Sequence, residues 1–283
     1  MEKKLIGRGV LVGAGSGLLA FVFARIFAEP IISKAIAYES GRDAAQALLD
    51  RASGITPEAA GSEIFSRTIQ ADIGLGVGLI LLGAAMGALF AVAYVICLGR
   101  TGRVRPRQLS LLVATGGFLG MFLVPFIKYP ANPPSIGHED TIQQRGALYL
   151  ILVFCSVLFL VLAVMLGQRL GKRFGNWNAS LLAGAAYVVA VGIVMVIEPS
   201  LGHLHNNIAE YGRHATETPL PLRDPHGQIV YPGFSADLLF SFRFYSVAAQ
   251  LILWAAIGLV FAPLAERLLT PDEVRSRREA VGV

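Results

Sequence analysis

Six long apolar stretches constrain the fold of this 283-residue chain more than any other feature of its sequence. They lie at about residues 9–28, 73–98, 109–127, 146–167, 179–197 and 244–264. A helix of about 20 residues crosses the hydrocarbon core of a bilayer, and each stretch is close to that length. Lipid offers the backbone no hydrogen-bond partners, and the stretches lack the alternation of barrel strands. We therefore predict an all-α integral membrane protein, a bundle of six transmembrane helices.

The composition agrees with a membrane protein, because 54% of the residues are apolar and only 15% are charged. Soluble domains carry about a quarter charged residues. The two cysteines, Cys97 and Cys155, both lie inside apolar stretches, which excludes a disulfide-stapled fold. The first stretch contains Arg25 and lacks a small-residue cleavage site, so it predicts a span rather than a secretory signal.

The distribution of basic residues predicts the orientation. Of the 24 Lys and Arg residues, 14 fall on the side of the N-terminus and nine in the longer loops opposite, while Arg25 lies in the first span. The positive-inside rule then places both termini in the cytoplasm of a multi-pass inner or plasma membrane protein. We predict one polytopic domain over 1–270, extracytoplasmic loops at 29–72 and 198–242, and a cytoplasmic tail at 271–283. Because the excess of Lys and Arg reflects the membrane orientation, no nucleic-acid partner is predicted.

The two long outer loops differ in their predicted structure. Residues 29–72 predict short amphipathic helices on the membrane surface, broken at Gly54 and Pro57. The segment 198–242 carries five prolines after Glu198 and is expected to be mostly irregular.

Glycines recur four residues apart within the spans, which is the spacing that lets helices approach closely in lipid. We predict packing seams at Gly9, Gly13 and Gly17, at Gly74 and Gly78, at Gly83 and Gly87, and at Gly116 and Gly120. The sequence contains no phosphate-binding loop, no paired-histidine zinc protease motif and no serine elbow. No enzymatic activity is predicted.

Charged residues cluster near the outer ends of the spans, where charge next to hydrocarbon is costly and often functional. Arg25 and Glu29 are four residues apart and could pair on one helix face. If the spans bundle, these two converge in one vestibule with Asp72, Lys128, Glu198 and Arg243. Snorkelling to the headgroups is the favoured role of Lys128 and Arg243. Glu29 and Asp72 are our candidates for a transport path.

The run from Glu198 to His205 is the most metal-like part of the chain, and all five histidines fall in predicted outer loops. In an extended run, His203 and His205 point the same way. In a helix from His203, a stripe forms instead from His203, Asn207, Glu210 and His214. Either geometry joins two imidazoles and a carboxylate, a set that suits Co²⁺, Ni²⁺ or Zn²⁺. The candidate ligands are therefore Glu198, His203, His205 and His214. The alternative is that these histidines are ordinary loop residues that bind no metal.

Three segments of the chain resemble a known family, the CbtA-type proteins, which are proposed cobalt transporter subunits. They are the runs Phe23 to Pro30, Lys128 to Pro134 and Ala209 to Pro219. The resemblance implies an integral membrane protein linked to vitamin B12 synthesis, which works beside a small one-span partner with a histidine-rich tail. The family is usually described with five spans, whereas this chain predicts six. The resemblance carries over no ligand set.

Together these observations predict a membrane subunit for uptake of a divalent transition-metal cation, with cobalt the expected ion. The outer loops carry fourteen acidic residues against nine basic ones. The ion would be captured at this acidic, histidine-bearing outer mouth and carried as Co²⁺, or as Ni²⁺ or Zn²⁺, without a tightly bound cofactor. The alternative is a membrane scaffold or receptor subunit that does not transport and binds a partner protein through its outer loops.

Overall fold

The computed structural model describes residues 2–56, 65–101, 104–134, 136–137, 139–211 and 217–269. Within these residues, five helices are long and apolar enough to cross a membrane, which confirms an all-α membrane protein. The α-helices are α1 (Glu2–Phe27), α2 (Glu29–Ala52), α3 (Arg67–Ile69), α4 (Leu75–Cys97), α5 (Pro106–Gly117), α6 (Val124–Lys128), α7 (Ile142–Ile197), α8 (His205–Tyr211) and α9 (Ala236–Leu269).

Shorter elements connect these helices. A π-helical segment, Gln70–Gly74, joins α3 to α4, and a second, Phe118–Leu123, joins α5 to α6, so each set forms one membrane-length helix. Single 3₁₀ turns lie at Glu139–Thr141 and Leu201–His203. An antiparallel hairpin pairs β1 (Leu222–Arg223) with β2 (Ile229–Tyr231).

Helices α1 and α4 cross at very close range because glycines face glycines. A Cβ atom added at Gly13 would collide with the backbone oxygen of Gly83, and one added at Gly87 would collide with that of Gly9. The predicted seams at Gly9, Gly13 and Gly17 and at Gly83 and Gly87 are therefore confirmed. A small residue at these points lets the two backbones meet, which is how helices associate in lipid.

The prediction of a packing seam is wrong for Gly74 and Gly78 and right for Gly116 and Gly120. Gly78 faces open space, and a Cβ at Gly74 would approach only the Ile69 oxygen of the preceding turn, at 3.6 Å. A Cβ at Gly116 would lie 3.3 Å from a methyl group of Leu160, which places this glycine against α7. Spacing alone does not tell which face of a helix meets a neighbour.

The core of the bundle lies where α9 packs between α1, α4 and α5. The ring of Phe261 meets those of Phe90 and Tyr94 edge-on, with centroids 5.0 and 5.2 Å away. The Trp254 ring fills the space left by the missing side chain of Gly117. These contacts make α9, the last span, the centre of the packed helices.

Helix α7 is 56 residues long and folds back on itself at Gly175, whose φ of +76° is not helical. A Cβ at Gly167 would lie 3.4 Å from that of Ala183. The hydroxyls of Ser156 and Tyr187 are 2.7 Å apart, whereas a straight helix would separate them by about 46 Å. The two arms, 142–174 and 176–197, therefore lie side by side, and they contain the predicted fourth and fifth apolar stretches.

Where the sequence predicts short helices, the described residues 29–56 of the first long loop form one helix, α2, of 24 residues. Six of its 24 residues are alanines, which have high helix propensity, and the Tyr231 hydroxyl lies against Gly41 of this helix. The helix ends before Gly54, as expected, whereas Pro57 lies outside the described residues. The described part of the second loop is less irregular than predicted, since it contains a 3₁₀ turn, α8, the hairpin and the start of α9.

Candidate functional site

The first group of charges lies where α1 ends and α4 begins, at the predicted outer end of the bundle. Arg25 Nε lies 2.5 Å from a carboxylate oxygen of Asp72, and both side chains are 45% exposed. Asp72 belongs to the π-helical segment Gln70–Gly74. The predicted partnership of Arg25 with Glu29 is therefore wrong, since Arg25 reaches across to the next span instead.

Glu29 is buried, with 5% of its surface exposed. Its carboxylate accepts hydrogen bonds from Arg67 and, at 3.2 Å, from the hydroxyl of Ser33. Pro30 lacks a backbone N–H and begins a new helix here. Helix α1 ends and α2 begins between Arg25 and Glu29. Each of these two residues pairs with a residue of the segment 67–74, which leads into α4. An open pocket of about 330 Å³ borders Arg25, Glu29 and Arg67.

The second group surrounds Glu198, the residue at which α7 ends. Its backbone is extended, with ψ of 136°, and the residue is only 9% exposed. Neither carboxylate oxygen accepts a hydrogen bond from the described part of the chain. Burying a carboxylate without hydrogen-bond partners is costly. The two oxygens of Glu198 are therefore available to accept a ligand.

Tyr129 lies beside Glu198 and interacts with its carboxylate electrostatically. The Tyr129 hydroxyl donates to the backbone oxygen of Pro199 at 2.9 Å. Burial, followed by the negative charge of Glu198, raises the pKa of Tyr129 above its ordinary value. The phenol therefore stays protonated, and the Lys128 ammonium lies 5.7 Å from its ring centroid.

Arg243 takes hydrogen-bond partners within the protein. Its guanidinium donates to the backbone oxygen of Ala131 at 3.2 Å and to the side-chain oxygen of Asn132 at 2.9 Å. The segment that follows α6 carries prolines and has no regular structure, so the arginine of α9 holds it in place. This segment borders a second pocket of about 240 Å³, together with Arg145 and Tyr149.

The candidate ligands His203 and His205 are both exposed. His203 ends the 3₁₀ turn, Leu204 is extended with ψ of 145°, and His205 begins α8. The helical alternative, a stripe starting at His203, does not form, because α8 begins two residues later and its Asn207 is buried. His214 lies outside the described residues, as does His138.

Among the residues that the structure describes, no three His, Cys, Asp or Glu side chains group closely enough to hold a metal ion. Glu198, His203 and His205 nevertheless lie within eight consecutive residues. Charges expected in one vestibule instead pair locally: Arg25 with Asp72, Glu29 with Arg67, and Arg243 with Asn132.

Sequence reasoning missed Glu217, whose side chain is fully buried. It accepts hydrogen bonds from the Thr141 hydroxyl at 2.8 Å and from the Asn207 amide at 2.6 Å. Arg145 lies 3.0 Å from its other oxygen. No local pattern identifies this residue, because Thr141 lies 76 residues away in the sequence and Asn207, ten residues away, belongs to α8.

Comparison with known proteins supplies the family. The family model CbtA, described as a probable cobalt transporter subunit, matches residues 2–266. The chain belongs to the CbtA family. No curated protein and no solved structure shows significant similarity to it. In this CbtA chain the match runs from α1 nearly to the end of α9, so both charge groups lie inside it.

Proposed function

We propose that the chain is the membrane subunit of a cobalt uptake system and captures the ion at the segment 198–205. The observation that carries the proposal is Glu198, a buried carboxylate whose two oxygens accept no hydrogen bond from the described residues. It lies in the same short segment as the exposed His203 and His205. Family membership, as a probable cobalt transporter subunit, supports the choice of ion.

The donor set suits a borderline transition metal. Imidazole nitrogens favour Co²⁺, Ni²⁺ and Zn²⁺ over Mg²⁺ and Ca²⁺, and a carboxylate completes a mixed nitrogen and oxygen set. Capture requires His203 and His205 to turn toward Glu198, which their exposed side chains permit. His214 is the fourth ligand in this proposal.

Glu29 and Asp72 form the next part of the proposed path. Both carboxylates carry an arginine partner, Arg67 for Glu29 and Arg25 for Asp72. An ion passing this point must separate the pairs, so they act as a gate rather than as open ligands. The Arg25 pair, with both side chains 45% exposed, is the weaker of the two because solvent screens it.

The proposed topology has six crossings, with the turn at Gly175 and both termini in the cytoplasm. The antiparallel arms of α7 support two crossings within that helix, and the distribution of Lys and Arg supports the orientation. The protein then forms one polytopic domain in the inner or plasma membrane. A membrane potential favours inward movement by about 2.3 kcal/mol per positive charge per 100 mV.

A partner completes the proposed system. The described residues contain no three-ligand cluster, and both carboxylates of the path are neutralised. A small single-span membrane protein with a histidine-rich tail would supply the remaining ligands. The same observations favour the second candidate function, a scaffold or receptor subunit that binds a partner without handling metal.

Calorimetric titration of the purified chain in detergent with Co²⁺, Ni²⁺ and Zn²⁺ tests the proposal. We expect micromolar binding of Co²⁺, near −8 kcal/mol. The double variant His203→Ala, His205→Ala should lose it, as should Glu198→Gln, whereas the control His226→Ala, an exposed histidine outside the segment, should keep it. Absence of binding in the wild type would contradict capture by this chain and favour the scaffold.

A further inference from the structure

Glu217 connects two segments that are distant in sequence. One of its oxygens accepts hydrogen bonds from Thr141, which precedes α7, and from Asn207 of α8. The other lies 3.0 Å from Arg145 in the first turns of α7. Hydrogen bonds to an ionised, buried carboxylate are among the strong ones in proteins. The start of α7 and helix α8 are therefore tied to one buried group.

Asn207 extends this connection to the histidine-bearing segment. The same amide nitrogen that binds Glu217 donates to the backbone oxygen of Leu201 at 2.7 Å. Leu201 begins the 3₁₀ turn that ends at His203, and Asn207 lies two residues after His205. The two imidazoles thus flank the polypeptide that Glu217 holds, and their own side chains remain exposed.

We propose that Glu217 is a positioning residue for metal capture: through Asn207 it fixes His203 and His205 at the end of the α7 hairpin, near Glu198. The inference rests on the proposed function, since it assigns a role toward the same ligands. Partners that orient metal ligands without touching the metal usually have large effects on affinity, because they limit the conformations from which the ligands must be gathered.

Two substitutions distinguish the positioning role of Glu217 from a general contribution to the stability of the fold. Glu217→Gln keeps one oxygen for Thr141 and Asn207, but it directs an amide group at Arg145 and removes the charge. Thr141→Val removes the hydroxyl that donates to Glu217 and preserves the side-chain shape. Asp237→Asn is the control, because it neutralises an exposed carboxylate in the first turn of α9.

Hydrogen exchange measured by mass spectrometry on the full chain, without metal, provides the first test. Glu217→Gln should raise amide exchange severalfold in residues 201–208 and leave peptides of α1 and α4 unchanged. Thr141→Val should give a smaller increase in the same place, and Asp237→Asn should give none. Wild-type exchange at 201–208 in both Glu217→Gln and Thr141→Val would overturn the proposal.

Co²⁺ titration followed by optical absorption provides the second test. Glu217→Gln should weaken binding about tenfold, the lower range for lost outer-shell partners, while the spectrum at saturation stays that of the wild type. A changed spectrum, or unchanged affinity despite faster exchange, would overturn the positioning role. A wild-type chain that binds no Co²⁺ would instead overturn the proposed function, and the exchange data would still show whether Glu217 holds the segment.

Discussion

The hydroxyl groups of Ser156 and Tyr187 lie 2.7 Å apart, and they join the two arms of α7. Ser156 is completely buried. The pair is a polar contact between two apolar helix segments, where a hydroxyl finds no water to replace a lost partner. Interhelical hydrogen bonds in membrane proteins contribute about 0.6 kcal/mol on average.

Replacing Ser156 by Ala should therefore lower the free energy of unfolding by about 0.6 kcal/mol. Chemical denaturation in detergent, followed by circular dichroism, measures it. Tyr187→Phe should have a similar effect, and the double variant should lose little more than either single variant, since both remove one bond. Ser180→Ala is the matched control, because that hydroxyl bonds only the Asn176 carbonyl of its own helix. Fully additive losses would contradict the pairing.

The close crossing of α1 and α4 predicts opposite results for neighbouring glycines. Gly13→Ala should destabilise the protein by about 1–3 kcal/mol or more, because the added methyl group collides with the backbone of α4. Gly15→Ala, in the same helix, should be neutral or stabilising, since nothing lies within 4 Å of its added Cβ. Thermal unfolding in detergent compares the two. Equal melting temperatures would show that the helices are not in contact there.

The proposed six crossings predict the sides on which two positions lie. Trp177 is 76% exposed beside the turn at Gly175, and His226 is exposed in the turn of the β-hairpin. With both natural cysteines replaced by Ala, a membrane-impermeant thiol reagent should label His226→Cys in intact cells. It should label Trp177→Cys only after the cells are permeabilised. Labelling of both in intact cells would contradict a turn in the cytoplasm.

The two ion pairs of the proposed gate predict different costs. Glu29→Gln should lower stability by about 1.5–3 kcal/mol, because it weakens charged hydrogen bonds to a buried group. Asp72→Asn should cost at most about 1 kcal/mol, because its pair with Arg25 is exposed. Denaturation measures both. Cellular Co²⁺ uptake should nevertheless differ from that of the wild type in Asp72→Asn, because the pair that the ion must separate is lost, and wild-type uptake would remove Asp72 from the path.

The sequence by itself determined the membrane class, since long apolar stretches can satisfy their backbone in lipid only as helices. The glycine spacing also indicated the seam at Gly9, Gly13 and Gly17, whereas the structure alone shows that this seam faces the glycines of α4. The resemblance carried by the proline-rich runs identified the family that the comparison confirms.

The tertiary structure alone decided the partners of the charged groups. Arg25 pairs with Asp72 rather than Glu29, and Glu217 takes partners from α7 and α8. Such choices depend on which helix ends meet and on which groups are removed from water together, and neither is encoded in local spacing. A charge that is buried is costly without a partner, and helix packing determines which partner lies close to it. The partner is therefore known only from the folded structure.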